Sequence, residues 1–212
     1  MGAGARSTVE RGQGRAYDNG DVVGSDRSQR ERAPMRLAVR PMRADPTLHG
    51  LPPLLGRGVR VLVLGSFPGA ASLAAGQYYA HPRNHFWPLV AAVIGVPLPA
   101  LPYRQRVAAL RANGIGLWDA IIACRRHGSL DGAIRAAEPA EVGRVRRAAP
   151  ALALVCFNGK TAARSLAAWR DAGYATLALP SSSPAYTRPF AEKLAAWQAI
   201  GTFLHATAQA RR

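Results

Sequence analysis

Apolar residues gather in short unbroken runs, and between the runs they recur at helical spacing. "VRVLVL" (59–64), "IGLWDAII" (115–122), "ALALVCF" (151–157) and "YATLAL" (174–179) have the length and continuity of strands covered on both faces. "NHFWPLVAAVIG" (84–95) reads as a helix with proline in its first turn, and "YRQRVAALRANG" (103–114) as an amphipathic helix stopped by Gly114. "PAEVGRVRRAAP" (139–150) fits a basic helix between two prolines. In "GKTAARSLAAWRDAG" (159–173), Ala162, Leu166 and Trp169 share one face and Gly173 ends it. A last helix starts near Pro189 and turns Phe190, Leu194, Trp197 and Leu204 inward. This alternation predicts an α/β fold, a three-layer α/β/α sandwich around a mostly parallel sheet. No internal repeat is evident.

Sheets of this kind hold ligands beyond the carboxyl ends of their strands. Three distant loops should meet there: Gly65, Ser66, Phe67, Pro68 and Gly69; Asn158 to Lys160; and Pro180 to Pro184. Residues 61–90 carry Tyr78, Tyr79, His81, Arg83, Asn84 and His85 but no Asp or Glu. Phe86 and Trp87 read as core, whereas Phe67, Tyr78 and Tyr79 sit in loops, where stacking on a ligand ring and packing both stay open. "NGKT" (158–161) has Leu154 where a phosphate loop needs its first glycine, which excludes Walker-type nucleotide binding. Lys160, at a helix start, suits a phosphate instead. His81 and His85 are separated by Pro82 and lack a third ligand, so no metal and no cofactor is assigned. Asp119 is a candidate to serve the site, and Asp131 reads as a helix cap.

Charge adds a partner. The net charge is +16, from 28 basic and 12 acidic residues, and all the basic ones except Lys160 and Lys193 are Arg. Such a surplus favours a polyanion such as nucleic acid, with a coding bias toward Arg, Ala and Gly as the competing explanation. Residues 1–48 hold nine Arg and six acidic residues but few large apolar groups, as expected of a disordered tail ahead of a domain spanning 49–212. Met35 and Met42 offer alternative starts within it. Cys124 and Cys156 lack metal or CxxC spacing and read as buried thiols. Prolines interrupt the uncharged stretch 88–103, so no membrane span is predicted. A monomeric cytoplasmic protein is the expectation.

One set of motifs then stands out. "LGSFPGAASL…QYYAHPRNHFWPL", "GIGLWDAI…CRRHGSLDGAI", "FNGKTA" and "LPSSSPA…KLAAW" closely resemble the hypoxanthine-DNA glycosylase family, the deoxyinosine-removing branch of the uracil-DNA glycosylase superfamily. The resemblance covers about residues 57–205 in the right order. It implies a central four-stranded parallel sheet and hydrolysis of the N-glycosidic bond of a flipped, deaminated base in DNA, leaving an abasic site. It also implies that Asn84 and Asn158 are catalytic. Asn158 is expected to donate to the departing base and Asn84 to hold the attacking water through its carbonyl oxygen. The first loop, Tyr79 and His85 are expected against the base; Arg83, Lys160, Ser181, Ser182, Ser183 and Tyr186 are expected against DNA. Where the family commonly has "SPAN", this chain has "SPAY", with Tyr186. That leaves uracil, including G·U mismatches, as the rival substrate. A non-catalytic DNA-binding module and a nucleoside hydrolase are the rival classes.

Overall fold

The computed structural model describes residues 46–209. The predicted tail lies outside these residues except at its end, where Thr47–His49 form a short strand, β1. Four strands, β2 (Val61–Gly65), β3 (Ile115–Asp119), β6 (Leu154–Asn158) and β7 (Ala175–Leu179), build a parallel sheet in the order β3-β2-β6-β7. β2, β3 and β6 are buried at every residue, which is why they read as continuous apolar runs.

Helices α1 (Ala70–Ala75), α2 (Phe86–Ile94), α3 (Tyr103–Ala112), α4 (Val142–Ala148), α5 (Leu166–Asp171) and α6 (Phe190–Gln209) complete the layers. Side chains alternate across β2. Val61 and Val63 join a core with Phe86, Leu89 and Val90 of α2, Leu110 of α3 and Trp197 of α6. Leu62 and Leu64 join the opposite core with Val145 of α4 and Trp169 of α5. Each such buried side chain contributes about 1.5–3 kcal/mol. Leu54 exchanges both backbone hydrogen bonds with Leu117, closing the outer edge of β3.

The run 115–122 does not form one strand. After Asp119, the amides of Ala120 and Ile121 bond the carbonyls of Gly65 and Ser66, so the chain follows the first loop. It then forms β4 (Ile121–Arg125), which pairs antiparallel with β1 and with β5 (Arg135–Pro139) in a second, three-stranded sheet. The predicted helix 159–173 likewise divides into a 3-10 turn at Ala162–Ser165 and α5. Both cysteines are buried free thiols, and burial pushes Cys156 up to about 12. Among the described residues, no helix is long and apolar enough to cross a membrane.

Candidate active site

Because the strands run parallel, Gly65, Asp119, Asn158 and Leu179 end on one edge. There the first loop, the segment before α2 and the loop after β7 enclose a cavity of about 760 Å³. That volume lies within the range of small-molecule sites. Asn84 and Asn158 both line it, as do Gly65 to Gly69, Tyr79, Arg83, Lys160, Ser181 to Ser183 and Tyr186.

Two glycines are required by close approach. A Cβ on Gly65 would stand 2.5 Å from Asp119 Oδ1 and 3.1 Å from the Tyr79 hydroxyl. At Gly159, φ is +95° and a Cβ would meet Ser181 Cβ at 2.9 Å. Residue 159 can therefore approach Ser181 this closely only as a glycine.

The asparagines are held differently from each other. Asn158 is buried and its amide is fully engaged. Its Oδ1 accepts the Ser182 N–H at 2.8 Å, while Nδ2 donates to Ser182 Oγ at 2.8 Å and to the Tyr79 hydroxyl at 3.2 Å. Both amide hydrogens expected to serve the base are used inside the protein in this structure. Tyr79 accepts from Asn158, which leaves its own phenolic hydrogen free. Asn84 Oδ1 accepts the Phe86 N–H at 2.9 Å, an Asx turn that starts α2 and fixes the amide plane. One lone pair of that oxygen remains.

Other expectations change for definite reasons. Ser182 is fully buried and cannot grip DNA; besides its bonds to Asn158, its carbonyl accepts the His85 N–H at 3.0 Å. That backbone bond turns the His85 ring edge-on to Phe190 of α6, with centroids 5.5 Å apart, and His85 is not part of the cavity wall. Phe67 is buried with the Arg126 guanidinium 4.9 Å from its ring centre, so that face is occupied. Tyr79 stacks on Phe86 at 3.8 Å and has φ of 54°, a left-handed backbone rare outside glycine. Ser181 and Ser183 accept backbone N–H groups within their own loop, from Ser183 and Ala185. Arg83 and Lys160 are exposed at the rim, as a phosphate contact requires.

The sequence reading missed most of one wall. Residues 129–131 line the cavity. Asp131 does not cap a helix: its Oδ1 accepts the Ser66 hydroxyl at 2.8 Å. Ser129 Oγ accepts the Ala70 N–H at 2.9 Å. Leu130 is the one large apolar side chain exposed among the described residues, at 68%. A bare leucine in a Gly/Ser turn was the available signal. Lys193, which read as part of a helix, is 1% exposed; its ammonium donates to the Tyr186 carbonyl at 2.6 Å and lies 5.3 Å from the Tyr186 ring centre. Burial lowers its pKa.

Asp119, a candidate from the sequence, does stand at the site. It is 4% exposed, it borders the cavity, and its Oδ2 is buried without a hydrogen-bond partner among the described residues. Burial pushes its pKa up to about 8, helped by the charge of Asp131 and opposed by Arg126. Burial, then Asp119, raises Tyr79 as well.

The geometry defines an α/β enzyme with a preformed pocket at the sheet's carboxyl edge, walled by amides and a phenol and rimmed by cations. Residues 52–201 match the family described as the uracil DNA glycosylase superfamily. Two relatives share the chain's pattern: a hypoxanthine DNA glycosylase from Methanosarcina barkeri, 39% identical over 149 residues, covers 70% of this chain and 94% of its own. One of the same description from Methanosarcina acetivorans is 38% identical over 152 residues, 72% of this chain and 96% of its own. The solution NMR structure of a candidate uracil DNA glycosylase from M. acetivorans superposes with a TM-score of 0.70 at 36% identity, covering 76% of this chain and 99% of that one. The chain belongs to the uracil DNA glycosylase superfamily and is a DNA glycosylase.

Proposed function

We propose that this enzyme removes hypoxanthine from deoxyinosine in DNA, leaving an abasic site without cutting the strand. The observation that carries the reading is the meeting of Asn84, Asn158 and Tyr79 on one cavity at the sheet's carboxyl edge. The two relatives described as hypoxanthine DNA glycosylases support the choice of base.

A base within the duplex is out of reach, so the nucleotide must swing outward at a cost of a few kcal/mol. Arg83 and Lys160 neutralise phosphates at the rim. Leu130 supplies an apolar wedge for the gap left in the stack, with Tyr186 beside the cavity as a second candidate. Inside, Asn158 holds the Tyr79 oxygen so that the phenolic hydrogen is offered to the base, where negative charge grows as the bond breaks. Asn84, fixed by its bond to the Phe86 amide, keeps one Oδ1 lone pair to orient the attacking water. The enzyme acts as a monomer in the cytoplasm, where its buried thiols stay reduced.

The test is incubation with duplexes carrying one deoxyinosine or one deoxyuridine, followed by alkaline cleavage of abasic sites. Cleavage at deoxyinosine is expected. Product only from deoxyuridine would replace hypoxanthine by uracil, and product from neither would remove the substrate assignment altogether.

A further inference from the structure

We propose that Asp119 is a catalytic residue of this site, the acid that delivers a proton to the departing base. The inference rests on the glycosylase reading above and adds a group that the first loop, without Asp or Glu, does not supply.

The argument begins with position. Asp119 ends β3 in register with Gly65, the last residue of β2. Its Oδ1 and the Tyr79 hydroxyl lie within 3.1 Å of one point, the place a Cβ on Gly65 would occupy. The absence of that Cβ opens the carboxyl toward the cavity. Of the two carboxyls on the wall, Asp131 is engaged by Ser66, whereas Asp119 keeps an oxygen buried and unpartnered. A carboxylate left without partners at 4% exposure is costly, so the neutral acid is the form such a site favours.

The surrounding groups agree. Asp131 raises the Asp119 pKa and Arg126 lowers it, but burial dominates and sets it at about 8. Tyr78 and Tyr79, packed against it from the segment before α2, are themselves raised by burial and by Asp119. His81, Arg83 and Lys160 line the same cavity. At neutral pH the carboxyl therefore holds its proton, and it is positioned to release it.

The step balances as follows. The C1′–N9 bond breaks with both electrons going to the base. The Asp119 proton moves to a ring nitrogen on the purine edge that meets Oδ1, so neutral hypoxanthine leaves. The new Asp119 carboxylate stands beside the cationic sugar. Water held by Asn84 bonds through its oxygen to C1′, and its released proton returns to Asp119. One water is consumed and the acid is restored.

The experiment is single-turnover excision from a deoxyinosine duplex between about pH 6 and about pH 10. Wild type is compared with Asp119→Asn, with DNA affinity and thermal melting measured on both. The wild-type rate should fall roughly tenfold per pH unit above about 8. Asp119→Asn should lose about 100-fold or more, bind DNA as wild type does, and show no decline in that range. A variant that keeps the wild-type rate and profile overturns the proposal. So does a wild-type rate that stays flat to about pH 10, whether or not the variant folds. If wild type releases nothing from deoxyinosine, the substrate reading falls and takes this proposal with it. Excision by wild type with an unaltered variant removes this proposal alone.

Discussion

The body of the sheet and its carboxyl edge obey opposite rules. In the body, β2, β3 and β6 are buried throughout between two apolar cores. At the edge, Asp119, Arg126 and His85 all carry buried polar atoms without partners among the described residues, and Tyr79 takes a backbone that disfavours its side chain. Stability comes from the first region and is spent in the second. A buried unsatisfied polar group costs about 1–3 kcal/mol, so these groups weigh against the stability that the body supplies.

The contrast can be broken from the body. Phe157, fully buried in β6 one residue before Asn158, should cost about 3–5 kcal/mol when changed to alanine, seen as a fall in melting temperature with folding and excision lost together. It can be sharpened from the edge. Tyr79→Phe and Asn158→Ala should each lower single-turnover excision by about 100-fold, and the double variant should be scarcely slower than the worse single one, since the two act through one hydrogen bond. Additive losses would show separate roles.

Asp119→Asn should move stability the other way. Its folded pKa of about 8 stands above the ordinary 3.8, so between these values the native state keeps a proton that the unfolded chain has released. Wild type therefore loses stability as pH rises through that window. The variant should match it near pH 4 and melt higher at pH 9, its unfolding free energy there larger by on the order of a few kcal/mol. Equal melting of both proteins at pH 9 would count against a strained carboxyl. The smallest effect is expected at the rim: Leu130→Ser should slow excision from duplex by roughly tenfold and leave single-stranded substrate unchanged, because only the duplex has a stack to fill.

How much was legible follows the same divide. β2 and β6 announce themselves because burial on both faces leaves no polar position to interrupt them. The second sheet was illegible: β5, "RAAEP", is exposed at every residue, so no apolar alternation betrays it. Nor did the run 115–122 reveal that Asp119 divides it between two sheets, because one partner of β4, β1, lies far earlier in the chain and the other, β5, has no apolar pattern. At the site, the family resemblance implied Asn84 and Asn158 but not the direction of their bonds. Whether an amide faces a base, a serine or a helix start depends on groups up to 79 positions distant. Asp119 was legible as a candidate carboxylate, but its place beside the first loop was not. It arrives from the neighbouring strand, through a register that only the folded sheet creates.

Ser182 carries a last consequence. Through its amide, hydroxyl and carbonyl, one residue fastens the tip of β6, the approach to α2 and the loop after β7 to each other. The mould is complete before any nucleic acid arrives, so there is little for the enzyme to assemble on contact. The movement falls to the helix it scans, and the lesions most readily claimed will be those whose weakened pairing already lets them swing free.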